Sequence, residues 1–116
     1  MTTAPLSSSD ENAVRQLAAL AHPTRLQVFR ALMRAGPGGL PAGALSDTLN
    51  VGPSSLSAHL TGLREAGLVE QRRDGRKRIY SAELAAAAGL VDYLVSDCCN
   101  GHPQVCAPLN ARRTAC

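Results

Sequence analysis

Aromatic side chains are scarce in this 116-residue sequence, which has no tryptophan, one phenylalanine (Phe29) and two tyrosines (Tyr80 and Tyr93). Modules that bind single-stranded DNA or RNA stack bases on aromatic faces, so three aromatics argue against such a module. Long apolar runs are missing too: no uninterrupted segment approaches the roughly 18 residues that a membrane span requires. The opening residues, Met1-Thr2-Thr3-Ala4-Pro5-Leu6-Ser7, offer neither the basic region nor the apolar stretch of an export signal, so the expected location is cytoplasmic. There is no Cys-x-x-Cys pair, the usual attacking and resolving arrangement of a thiol oxidoreductase, and the chain is not expected to be an enzyme.

What is present is unevenly distributed. The net charge of +3 is mild, but five of the twelve Lys and Arg residues (Arg72, Arg73, Arg76, Lys77 and Arg78) fall within one seven-residue window. A local block of this kind is an electrostatic footprint for phosphate. Three of the four cysteines, Cys98, Cys99 and Cys106, fall within nine residues, and thiolates gathered so closely form a soft-ligand site. The length suits one domain with a modest core, to which a second copy would add useful buried surface.

The apolar periodicity predicts a mainly α-helical domain over residues 8–97, between a disordered segment 1–7 and a cysteine-containing segment 98–116. Ser8 and Glu11 have the spacing of a capping box, and Val14, Leu17, Ala18 and Ala21 repeat behind them at helical intervals. Pro23 suits a first helical position, and Leu26, Val28, Phe29, Leu32 and Met33 supply the apolar side of a second helix, which Gly36-Pro37-Gly38-Gly39 ends. A third helix fits Pro41 to Leu49. After Asn50-Val51-Gly52, Pro53 opens a fourth, with Leu56, Leu60 and Leu63 inward and Ser54, Ser55, Ser57, His59 and Thr61 off that stripe. Two helices joined by a short Gly-containing turn, the second with small polar residues facing outward, suggest a helix-turn-helix.

Residues 68–73 and 76–81 then read as a β-hairpin about Asp74-Gly75, with the basic block at its tip. Leu84, Ala87, Ala88, Val91, Leu94 and Val95 describe a last helix beginning near Ala82, which Gly101 and Pro103 should end. Serines after glycine and proline are often mere caps, and a charged hairpin often just keeps a sheet edge soluble. In this order, however, they form a double-stranded DNA reader. Ser54, Ser55, Ser57 and His59 would approach base edges in the major groove, while Arg72, Arg73, Arg76, Lys77 and Arg78 contact flanking phosphates.

Two blocks carry a family resemblance: Ala19-Leu20-Ala21-His22-Pro23-Thr24-Arg25-Leu26, and Ser55-Leu56-Ser57-Ala58-His59-Leu60 followed by Leu63-Arg64-Glu65-Ala66-Gly67-Leu68-Val69. They resemble the ArsR/SmtB winged-helix repressors over about residues 10–96. The resemblance implies a winged helix-turn-helix that dimerises through its first and last helices, binds operator DNA without ligand, and is released by an inducer.

Relatives place inducer sites differently. Residues 40–49 hold no cysteine, unlike family members with an arsenic site before the recognition helix. The last helix has Asp92 and Asp97 but no histidine before His102, unlike members that bind zinc there. Cys98, Cys99 and Cys106 are similar to the C-terminal cysteine cluster of arsenite- or antimonite-sensing members, and three converging sulfurs suit trivalent arsenic. The expected function is therefore a metalloid-responsive repressor with arsenite or antimonite as inducer. Alternatives are a Cys99–Cys106 disulfide switch, which nearby Asp97 disfavours, and a zinc- or cadmium-responsive site. For the latter, His102 could join the three cysteines, although adjacent Cys98 and Cys99 depart from the usual ligand spacing. Cys116 is expected to be a spectator.

Overall fold

The computed structural model describes residues 8–95. Within them the order is α1 (Ser8–Leu20), α2 (Pro23–Ala35), β1 (Leu40–Pro41), α3 (Ala42–Leu49), α4 (Pro53–Glu65), β2 (Val69–Asp74), β3 (Lys77–Ala82) and α5 (Leu84–Leu94). The expected disordered segment 1–7, and the expected last helix and tail beyond residue 95, lie outside the described residues.

Local chemistry sets the helix ends. His22 is extended, and its Nδ1 accepts a hydrogen bond from the Thr24 amide at 3.1 Å, capping α2 just before Pro23 fixes the first helical φ. At the other end of α3, Asn50 takes the left-handed conformation (φ 55°) and turns the chain toward α4. α4 ends in a Schellman closure: the Gly67 amide bonds to Arg64 O and the Leu68 amide to Leu63 O, both at 3.0 Å, with Gly67 at φ 77°.

The sheet has three antiparallel strands in the order β1-β3-β2. The expected hairpin is therefore joined by a strand that sequence periodicity does not reveal, because Leu40–Pro41 is too short to alternate. It pairs Leu40 with Tyr80 and Pro41 with Ile79. Gly39, at φ 71°, permits this approach, since a Cβ there would run into the Tyr80 carbonyl. The hairpin turn lies one residue later than Asp74-Gly75. Asp74 pairs with Lys77, so Gly75 and Arg76 form the loop, with the positive φ on Gly75.

Val28, Leu32, Leu45, Leu56, Leu60, Leu63 and Leu68 are almost wholly buried and join α2, α3, α4 and the wing base in one core. Each contributes about 2 kcal/mol of hydrophobic stabilisation. The leucine stripe of α4 faces inward as its spacing predicts. The stripes of α1 and α5 do not: Val14, Leu17, Leu84, Val91 and Leu94 are exposed, while Ala13, Gln16, Ala19 and Leu90 face inward. On α2, Val28, Phe29, Ala31 and Leu32 are buried, but Leu26 and Met33 are exposed. Periodicity marks a face that needs covering without saying what covers it.

Candidate nucleic-acid interface

The three buried leucines fix the rotation of α4. At about 100° per residue, Ser54, Ala58 and Thr61 lie opposite them, Ser57 and Arg64 flank one side, and Ser55, His59 and Gly62 flank the other. Ser54, Ser55, Ser57, Thr61 and Arg64 are exposed. The Ser57 flank looks toward the wing: Ser57, Asp47, Lys77 and Arg78 border a groove of about 490 Å³ floored by Leu56 and Tyr80. A row of small polar residues along an edge rigidly backed by leucines can approach base edges closely.

The wing carries cations on both strands. Arg73 pairs across the sheet with Arg78, Lys77 lies opposite Asp74, and Arg76 occupies the tip; all four cations are exposed. Like charges directly opposite each other oppose strand pairing, and a polyanion alongside would relieve that repulsion. Arg72 has a different setting. Its Nη1 donates to Pro37 O at 3.2 Å and its Nη2 to Gly38 O at 2.9 Å, tying the wing to the turn after α2.

His59 is half-buried on the α2 side of α4. Its Nδ1 accepts a hydrogen bond from Arg25 Nε at 3.2 Å, and its ring centroid lies 4.6 Å from that of His22. Burial, followed by the neighbouring His22 and Arg25, lowers its pKa below the usual 6.5. Gly62, one turn along α4, leaves room for this contact, because a Cβ there would come within 2.6 Å of the Arg25 guanidinium carbon. Ser57 thus lies beside the wing cations and Ser54 on the outward face next to it, Ser55 is exposed on the other flank, His59 is engaged by α2, and Arg72 by the Pro37-Gly38 backbone.

Sequence reasoning missed Arg25, whose contact joins residues 34 apart, and undervalued Thr61. The Thr61 hydroxyl donates to Ser57 O at 2.9 Å, and the residue is exposed on the same outward face as Ser54. Its i+4 relation to Ser57 was the available signal. Cys98, Cys99, Cys106, His102 and Cys116 lie outside the described residues. Among the described residues, no group of three or more His, Cys, Asp or Glu side chains could hold a metal ion, and no helix is long and apolar enough to cross a membrane.

A helix-turn-helix followed by a basic two-stranded wing defines a winged-helix DNA-binding protein. Residues 20–72 match a family model described as a helix-turn-helix domain. The chain is 32% identical to the HTH-type transcriptional regulator YgaV of Escherichia coli over 96 residues, covering 83% of this chain and 95% of the relative. It is 41% identical over 75 residues to the putative arsenical resistance operon repressor ArsR of Halobacterium salinarum, covering 65% of this chain and 57% of the relative.

Among solved structures, reduced HlyU from Vibrio cholerae superposes with a TM-score of 0.59 at 32% identity, covering 73% and 85% of the two chains. The homodimeric winged helix-turn-helix DNA-binding domain of Mb0332 from Mycobacterium bovis, described as a possible ArsR-family regulator, gives 0.61 at 27% identity, covering 86% and 95%. The chain belongs to the ArsR/SmtB-like family of winged-helix transcriptional regulators. These are DNA-binding proteins, not enzymes.

Proposed function

We propose that this chain is a homodimeric, thiol-responsive transcriptional repressor that reads operator DNA with α4 and anchors on flanking phosphates with its wing. The observation that carries the reading is the exposed edge of Ser54, Ser57 and Thr61 beside the exposed cations Arg73, Arg76, Lys77 and Arg78. Ser55 lies at the margin of that edge. His59 and Arg72 act by setting the pose of the helix and the wing. The dimer contact is the uncovered apolar surface of α1 and α5, with Val14, Leu17, Leu84, Val91 and Leu94. This would set two α4 helices about 34–36 Å apart, one turn of B-DNA.

Thiol chemistry controls release. Cys98 follows α5 by only a few residues, so a covalent or coordinative change there acts on the end of the helix that carries the dimer surface. Oxidation is the favoured form. Two thiols, Cys99 and Cys106 foremost, form a disulfide while hydrogen peroxide accepts two electrons and leaves as two waters. Support comes from the family and from likeness to HlyU of Vibrio cholerae, solved in a reduced form. Metalloid capture by Cys98, Cys99 and Cys106 is the second reading, favoured by the three sulfurs within nine residues and by likeness to an arsenical resistance repressor. Zinc or cadmium on the same thiols is the remaining candidate.

The test is a mobility-shift titration on an operator selected from random duplex DNA, with peroxide, arsenite, antimonite, zinc and cadmium added separately. Release by peroxide, reversal by dithiothreitol and loss of response in Cys99→Ser or Cys106→Ser support the redox form. A mass decrease of two hydrogens would accompany it. Release by arsenite without oxidant, abolished by serine at any of the three cysteines, replaces it with the metalloid form. Operator binding that ignores every agent sinks thiol control but leaves the DNA reading intact.

A further inference from the structure

A cavity of about 430 Å³ lies between α1, the end of α4 and the inner side of α5, and shares no residue with the serine edge or the wing. Its α1 wall is polar: Ser9, Asn12 and Gln16 recur on one helical face. Its α5 wall is smooth, with Ala85, Ala86 and Gly89 ahead of Tyr93.

Gln16 is the unusual member. It is only 6% exposed and sits on the core-facing side of α1, where an aliphatic residue would be ordinary. Its side chain makes no hydrogen bond among the described residues, yet none of its polar atoms is sealed from solvent without a partner. The carboxamide therefore opens into the cavity that Gln16 lines. Its acceptor and two donors have no protein partner among the described residues, so water meets them unless a ligand with complementary groups takes its place.

The chemistry of the walls selects the occupant. A carboxamide pairs in two-point fashion with a group that presents a donor and an acceptor side by side, as Gln and Asn do on an adenine edge. Among the described residues no Asp, Glu, Lys, Arg or His lines the cavity, so an ionic ligand would lose hydration there without gaining a counter-charge from these walls. The Ala85, Ala86 and Gly89 wall admits a flat ring at close range, and the volume falls within the range of small-molecule sites, about 300–1,000 Å³.

We propose that this cavity binds a small, uncharged, planar molecule with an amide or imide edge, paired to the Gln16 carboxamide and seated against the Ala85–Gly89 wall of α5. The site stands independently of the DNA reading. It lies behind the helix whose opposite side carries exposed Leu84 and Val91, so an occupant would adjust the pose of the surface offered to a second copy.

The test uses the full chain, with nicotinamide and uracil as probes and benzoate and toluene as charged and apolar controls of similar size, followed by amide chemical shifts. Nicotinamide or uracil should shift resonances from residues 9–16 and 85–93 saturably, with both controls about tenfold weaker or absent. Gln16→Met keeps the length without the amide. Gly89→Leu adds bulk where a Cβ meets nothing within 4 Å. Each should weaken the probe about tenfold or more while the melting transition persists; if Gln16→Met fails to fold, Gly89→Leu decides. No saturable shift with either probe, equal binding of benzoate or toluene, or wild-type affinity in the folded variants overturns the proposal.

Discussion

Arg25 on α2 donates through Nε to His59 Nδ1 on α4 at 3.2 Å, so the helix that carries the reading edge is held from behind by a neutral imidazole. A protonated His59 has no Nδ1 lone pair to offer and would face Arg25 and His22 as a like charge. Its pKa is lowered, chiefly by burial and then by those two neighbours. The folded protein thus binds fewer protons than the unfolded chain below the usual value of 6.5. The contribution of His59 is complete above that value and is lost as pH falls through the lower folded-state pKa. Urea midpoints should therefore decline from pH 7.5 toward pH 5, and His59→Gln should flatten that decline. An unchanged slope in the variant would remove His59 as its source.

The serine edge and the wing cations should separate in their salt behaviour. Arg76→Ala should weaken operator and random DNA alike and reduce the slope of log K against log salt by about 1, the signature of one lost phosphate contact. Ser57→Ala or Thr61→Ala should leave that slope unchanged and alter sequence preference by about 1–3 kcal/mol at one base position. Fluorescence anisotropy over a salt series on both DNAs distinguishes the two classes. Identical losses on both DNAs for Ser57→Ala would contradict its place on the reading edge.

Arg72 should behave unlike its neighbours, although sequence places it in the same basic block. Its guanidinium is committed to two backbone carbonyls, at 3.2 Å on Pro37 and 2.9 Å on Gly38. Arg72→Ala should lower stability by about 1 kcal/mol and weaken DNA binding by loosening the wing, with little change in salt slope. Arg72→Lys should recover only part, because a single ammonium cannot reproduce the two-pronged contact. A full unit lost from the salt slope would instead make Arg72 a phosphate ligand.

Much of this was legible in the sequence, for reasons specific to each element. Leu56, Leu60 and Leu63 repeat every turn and have no competing stripe, so the inward side of α4 could be read correctly. On α1 and α5 the stronger apolar repeat is the exposed one; the core is served on α1 by Ala13, Gln16 and Ala19, too small or too polar to register, and on α5 by Leu90, which stands outside the Leu84, Ala87, Val91 and Leu94 repeat. The β1 strand is two residues long, below the reach of any periodicity. The roles of Arg25, His59 and Arg72 depend on contacts 34 or more residues apart, which no local pattern carries.

The exposed stripes give the dimer its own test. Leu94, one turn beyond buried Leu90, is 56% exposed, and Val91, about 100° around α5 from Leu90, is 41% exposed. Leu94→Glu should leave the winged-helix core folded, because the side chain is already in solvent, but place a charge in the contact between copies. Sedimentation should show the wild type as a dimer and the variant shifted toward monomer, with operator affinity falling at least tenfold as bivalent binding is lost. A dimer unaffected by Leu94→Glu and Val91→Asp would move the contact elsewhere.

Gly62 joins the helix, the arginine and the histidine in one experiment. A Cβ at this position would lie 2.6–2.8 Å from the Arg25 guanidinium atoms, so Gly62→Ala must push that group aside, which a flexible side chain can do cheaply. Helix propensity favours alanine by up to about 1 kcal/mol, and the displaced hydrogen bond costs about the same; the expected change in stability is close to zero. His59 should respond more clearly. Once Arg25 swings away, its positive charge no longer opposes protonation, and the imidazole should titrate at a higher pH than in the wild type. An NMR titration of the His59 ring measures that change directly, and an unshifted midpoint would mean that the guanidinium keeps its place despite the methyl group.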